Sequence, residues 1–344
     1  MKILKDIILV STLLLASCVG KVEPSSDNKI TIEVNKPQIS VDKGESVKIK
    51  IKNWGEDISD QADIYCSFND EKKLLENTDF IATESGEYTF SASVDGIEIP
   101  EDITIRAYND SELGATYFQR HLVKKFTATW CVNCPEMGNI ITELEHELPF
   151  EIIEMAIHSK DEIEVSEGSR LVDDFNYMFL PTVVVDMDWD NEITKKSKES
   201  ISNALNSSKW SPSSIPGIRI NTSIKDNNLN IEVGVTTTAD GNYKIAVAAV
   251  ADNYHFKQTG ASSSNYKQNK VLRTYYTDPY GDKLQGLNIG SEKVLNYDVN
   301  MPTGLKGDCR IIAYIIKEIE GKDRVINSNE CLAGEAINYI YSLK

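Results

Sequence analysis

Two cysteines three residues apart, in Trp130-Cys131-Val132-Asn133-Cys134-Pro135, stand where one backbone rhythm gives way to another. Residues 122–127 are a run of β-formers, while Met137, Ile140, Ile141, Leu144 and Leu148 recur at helical spacing. The pair therefore sits at a strand-to-helix junction. The first N–H groups of a helix lack internal partners and the dipole is positive there, so a thiolate at Cys131 is stabilised. A lowered thiol pKa gives an attacking or leaving thiolate near neutral pH. The spacing lets Cys134 reach back to Cys131, and Pro135 costs little in a first turn whose N–H groups are orphans anyway. Beyond it, 150–157 reads as a strand, 167–177 as a helix, 182–185 as a strand covered on both faces and 198–205 as a closing helix. This order predicts an α/β unit over residues 113–208.

W-C-x-x-C between strand and helix, with Leu180-Pro181-Thr182 directly before a later strand, resembles the thioredoxin family. The resemblance implies a thioredoxin-like fold for 113–208, with a cis X-Pro bond at Pro181 facing the cysteines. It also implies roles. Cys131 attacks or is attacked, Cys134 resolves, Trp130 shields one side of the pair, and Pro181 and Thr182 hold a substrate strand. One position departs from the family. Six residues before the first cysteine, thioredoxins carry a buried carboxylate; here that position is Lys125, flanked by Lys124. A lysine aimed at the pair favours the thiolate and a more oxidising disulfide, whereas one that snorkels to solvent does neither. His158 ends the strand after the first helix, at the sheet edge where α/β sites collect. It reads either as a proton shuttle or as a polar loop residue. Cys131, Cys134 and His158 are in principle ligands for Cu(I) or Zn(II). No second C-x-x-C and no Met-rich run accompanies them, so neither metal nor cofactor is expected.

The flanks read differently. Over residues 29–107, Ile30-Ile32-Val34, Val47-Ile49-Ile51 and Ile103-Ile105 alternate apolar with polar residues, and turn signals fall between them. Short strands at this spacing predict an immunoglobulin-like β-sandwich. Residues 215–344 return to alternation, from Ile218-Ile220 to 337–341, and predict a second β-sandwich with a polar insert at 253–290. The expected fold class is thus multidomain α+β: an N-terminal Ig-like sandwich, a central thioredoxin-like α/β domain and a C-terminal β-sandwich.

Lys2 and Lys5 precede an apolar stretch, 7–16, that is too short to span a bilayer, and Leu15-Ala16-Ser17-Cys18 follows. The pattern resembles a bacterial lipobox, which implies a signal peptide at 1–17, lipidation at Cys18 and a tether at 18–28. The expected location is the outer membrane, lipid-anchored, on the periplasmic or cell-surface face. Export places the other cysteines where disulfides persist. Cys66 reads as a buried small apolar residue. Cys309 and Cys331 flank a hairpin turn at Gly321-Lys322-Asp323 and are candidates for a structural disulfide. The acidic stretches at 57–63 and 186–190 read as solvated loops. With 36 basic against 53 acidic residues, a net charge of −17 argues against nucleic-acid binding.

A wider resemblance rests on Phe126-Thr127, the C-V-N-C-P motif, Ala156-Ile157-His158, Asn269-Lys270-Val271-Leu272-Arg273 and Tyr280-Gly281-Asp282. From about residue 115 onward the chain is similar to lipoproteins related to the 28-kilodalton outer-membrane protein of anaerobic Gram-negative bacteria. That implies an exported, lipid-anchored protein and no particular substrate. Two functions are open. One is a thiol–disulfide oxidoreductase whose partners are cysteine-containing exported proteins or a redox protein. The other is an outer-membrane or surface binding lipoprotein whose C-x-x-C region is a non-catalytic scaffold.

Overall fold

The computed structural model describes residues 30–53, 55–175, 179–262, 266–302 and 308–343. The signal segment, Cys18 and the tether lie outside the described residues, as do residues 176–178 at the expected end of the second helix.

The first strands are built by alternation. Ile32, Ile49, Ile51, Ile64, Phe90 and Ile105 point into one core between a four-stranded and a six-stranded sheet. This N-terminal sandwich is fastened to the end of the chain. Asn35 donates to Glu335, Gln38 donates to the Tyr341 carbonyl, and Lys52 donates to Asp308 at 2.9 Å.

A free-standing central thioredoxin-like α/β domain is not what the rest of the chain forms. The protein is mostly β, with 49% strand against 15% helix, and is rich in β-sandwich. The strands expected of the α/β unit belong to a longer, eight-stranded sheet. Its order is Thr182–Val185, His121–Thr127, Ile152–His158, Val271–Tyr275, Tyr243–Ala251, Cys309–Ile319 and Lys322–Leu332, with Asp282–Lys283 beside Tyr243–Ala251. The junction is the cause. A separate unit would leave the edge of Ile152–His158 open, and an open edge recruits a strand. Here Ala156 pairs in parallel with Val271 and donates its N–H to the Lys270 carbonyl at 2.8 Å. The partner strand comes from the segment that its composition marks as an insert.

Three α-helices lie among the described residues: α1 Cys134–Glu147, α2 Ser166–Phe175 and α3 Lys198–Ser207. The apolar faces of α1 (Met137, Ile141, Leu144) and α3 (Ile201, Leu205) cover one side of the sheet with Val123, Ile152 and Val183. Leu171 and Val172 of α2 pack on the other side, with Phe126, Met155 and Val184. Farther along the sheet, Ile245, Val247, Ala249, Ile311 and Ile315 face a four-stranded sheet carrying Ile218, Ile220, Ile231 and Val233. Tyr243–Ala251 is buried almost throughout because both its faces are covered.

Two further expectations change. Cys309 and Cys331 are free and buried. Cys309 follows the register one step beyond the Arg310 to Leu332 pair, so it lies diagonal to Cys331, which faces Ile311. The 186–190 stretch is not wholly a solvated loop either. Asp186 is 2% exposed, accepts the Leu122 N–H and sits 2.5 Å from His121 Nδ1. Cys66 is buried as expected, and burial pushes its thiol up to about 11.

Candidate functional site

Cys131 and Cys134 form a disulfide at the N-terminus of α1. Pro135 occupies the first turn, and the turn is closed by Cys131 N–H to Ala128 O and Cys134 N–H to Cys131 O. The flanking side chains stand out of the surface: Trp130 is 51% exposed and Val132 61%. The two cysteines are nonetheless 4% and 3% exposed. Two elements pack against this turn.

The first is the loop before Thr182–Val185. Leu180-Pro181 is cis, and Leu180 packs against Ala128, Cys131 and Cys134. Thr182 is buried, and its hydroxyl donates to the Phe179 carbonyl at 2.8 Å, which ties the loop into its bend. The structure therefore brings the residue before Pro181, Leu180, to the cysteines and turns the Thr182 hydroxyl back onto its own loop.

The second is a strap from the expected insert. Thr259 donates its N–H to the Thr129 carbonyl at 2.8 Å. Gln258 is buried, and its side-chain nitrogen reaches Cys131 O at 2.9 Å and Ala128 O at 3.2 Å. Its side-chain oxygen accepts from Gln268 at 2.6 Å, so every polar atom of the amide is used. Gly260 (φ +83°) lies so close to Val132 that a Cβ would meet the Val132 carbonyl oxygen at 2.1 Å. Nothing in the sequence marks Gln258 as special, because its partners are backbone carbonyls distant in the chain.

Lys125 neither snorkels to solvent nor stands alone. Its Nζ lies 2.5 Å from Glu154 Oε1 on the neighbouring strand, in the layer beneath α1, where a Cβ on Gly138 would be 3.5 Å away. Burial raises the Glu154 carboxyl, but the ammonium groups of Lys125 and Lys270 outweigh it and hold the group below the usual carboxylate range. The buried acid missing at position 125 is thus present one strand over. A lone acid inside the apolar run 152–157 was the available signal: such a residue needs a buried cation.

His158 is not a loop residue. Its side chain is fully buried, and Nδ1 lies 2.6 Å from Asp161 Oδ2. Asp161 also accepts the Thr129 N–H, which links the histidine to the segment entering the cysteine motif. Burial lowers the His158 pKa more than Asp161 raises it, so the ring is neutral at neutral pH. The proton then sits on Nδ1 facing the carboxylate, and Nε2 is buried with no hydrogen-bond partner. Trp130 is fixed by its indole N–H to the Lys160 carbonyl at 3.0 Å. Among the described residues, no group of three His, Cys, Asp or Glu side chains is disposed to hold a metal.

Residues 169–335 match the family described as outer membrane protein Omp28. The Omp28 match begins within α2, after the cysteine motif, and takes in the cis-proline loop, the strap and most of the C-terminal strands. It supports an outer-membrane protein and leaves the thioredoxin-like portion of the earlier resemblance unconfirmed. No curated protein matches the chain. Among solved structures, HBP35 of Porphyromonas gingivalis is similar over 64% of this chain and 77% of that one, at 14% identity and a TM-score of 0.52. At that identity the likeness is one of fold alone. A structural-genomics protein from Agrobacterium tumefaciens aligns over 66% of this chain and all of its own, at 12% identity and a TM-score of 0.44. No helix of the described residues is long and apolar enough to cross a membrane.

Proposed function

We propose that this protein is an outer-membrane-associated binding protein, lipid-anchored through Cys18, in which the Cys131–Cys134 disulfide is a staple and not an exchange centre. The observation that carries this reading is the cover on the sulfurs. An exchange catalyst presents its attacking sulfur to solvent, and here both cysteines are buried, with Leu180 packed on them and Gln258 hydrogen-bonded to the Cys131 carbonyl beside them. Measuring the reduction potential in glutathione buffers tests the staple. A value below about −300 mV with slow exchange supports it, and a value between about −120 and −270 mV with fast exchange overturns it.

One observation favours the second reading, a thiol–disulfide oxidoreductase acting on exported cysteine-containing proteins. The cis Leu180-Pro181 segment packs directly on the cysteine pair, and the buried Lys125–Glu154 pair lies beneath the same helix. In that reading Glu154 takes the part of the absent family carboxylate, and His158 is held neutral by burial as a proton acceptor.

A further inference from the structure

We infer that residues 254–262 are a removable cover that sets the rate at which an outside thiol reaches the Cys131–Cys134 disulfide. The inference is independent of whether exchange is the protein's business, because it concerns access and not potential. Three observations carry it. The cysteine turn projects from the surface, with Trp130 and Val132 half or more exposed, yet its cysteines are buried. The strap is a single layer: Thr259 and Gly260 are themselves exposed while Gln258 beneath them is buried. And the strap reads the shape of the turn. Gln258 donates to the carbonyls of Ala128 and Cys131, Thr259 to that of Thr129, and Gly260 rests on that of Val132. Two of these carbonyls, those of Cys131 and Val132, lie inside the loop that the disulfide closes, and the other two lie in the turn that leads into it. The base of the strap is pinned separately, where Tyr254–His255 pairs with Lys267–Gln268.

Contacts of this kind are individually weak. Tyr254 and Phe256 anchor the base against Ile163 and Val271, whereas the tip, 257–262, is held by a few hydrogen bonds, which allows it to open locally well below the cost of global unfolding. Opening exposes Cys131 to attack. With dithiothreitol as the reductant, one reagent thiolate attacks Cys131 Sγ, the S–S bond breaks and Cys134 leaves as a thiolate. The reagent's second thiol then displaces Cys131 and closes a cyclic disulfide. Two electrons and two protons pass from reagent to protein.

The test is the rate of that reaction, read by mass after alkylation, in the full-length exported protein. Gln258→Ala removes the hydrogen bonds, and Gly260→Ala drives a methyl into the Val132 carbonyl. Each is expected to accelerate reduction at least tenfold, whereas Lys257→Ala, an exposed neighbour, leaves it unchanged. Hydrogen exchange over 254–262 is expected to rise in the same two variants, with the rest of the chain protected as before. Wild-type reduction rates in both strap variants overturn the proposal, as does equal acceleration in Lys257→Ala. The equilibrium potential tests the staple and these rates test the cover, so the two fail separately.

Discussion

Lys125 Nζ lies 2.5 Å from Glu154 Oε1, a buried ion pair joining two parallel strands beneath the helix that carries the disulfide. Breaking such a pair strands the surviving charge, which typically costs about 3–5 kcal/mol, whereas replacing both partners by apolar groups is close to neutral. Glu154→Gln is therefore expected to lower stability by about 3 kcal/mol, and Lys125→Met with Glu154→Leu to recover most of it. Urea unfolding midpoints check this. Equal loss in the single and double variants would show that the pair is not a unit.

Lys124, its neighbour in the chain, has no carboxylate partner among the described residues. It is fully buried, 3.3 Å from the Tyr314 hydroxyl, with its ammonium over the rings of Trp189 and Tyr314. Burial brings its pKa down to about 7. The unfolded chain then binds more protons than the folded one between about pH 7 and the usual lysine range, so this group's contribution to stability rises with pH across that window. Lys124→Met is expected to stabilise the protein by about 1–3 kcal/mol at pH 7, with a gain that shrinks toward pH 10. Thermal unfolding of both proteins from pH 6 to 10 reads the effect, and a gain independent of pH would contradict it.

The N-terminal sandwich is held to the C-terminal strands through Lys52, which is 2.9 Å from Asp308 and 3.1 Å from Glu33. Burial raises both carboxyls, but Lys52 outweighs it and holds both below their ordinary values. A depressed carboxyl contributes stability that is present above its unfolded pKa and lost as pH falls through the folded one. Docking of the sandwich is expected to weaken below about pH 4. Limited proteolysis between pH 7 and 3.5 follows it. In Lys52→Met the acid sensitivity should flatten, and an unchanged profile would place the loss elsewhere.

The disulfide closes a very short loop. Chain-entropy arguments give a crosslink of this span about 2 kcal/mol. Cys131→Ser with Cys134→Ser is expected to cost that amount in unfolding free energy and to raise hydrogen exchange in the strap, whose partners are the carbonyls of the same turn. A stable, fully protected strap in this variant would uncouple the two.

Much of this was legible locally. Apolar periodicity placed a strand before the cysteines and a helix after them, and the strand His121–Thr127 and α1 lie there. Alternation marked the N-terminal sandwich strands. The polar stretch 253–290 misled, because it hides Val271–Tyr275, a strand too short and too mixed to announce itself. The buried acid at Glu154 and the His158–Asp161 pair were missed for another reason. A charged residue in a strand looks the same whether its face meets water or a partner.

The chain's own chemistry determined which segments extend, which coil, and that the two cysteines lie between the end of one strand and the start of one helix. These are properties of neighbours within a few residues, where sterics and hydrophobic period act directly. Only the tertiary structure decided that Val271 pairs with Ala156, so that the expected α/β unit merges into a larger sheet. It alone set Gln258 on the Cys131 carbonyl and Glu154 on Lys125. Such pairings join segments far apart in sequence, and they are selected by which open edge, bare carbonyl or buried charge remains once the local elements have formed.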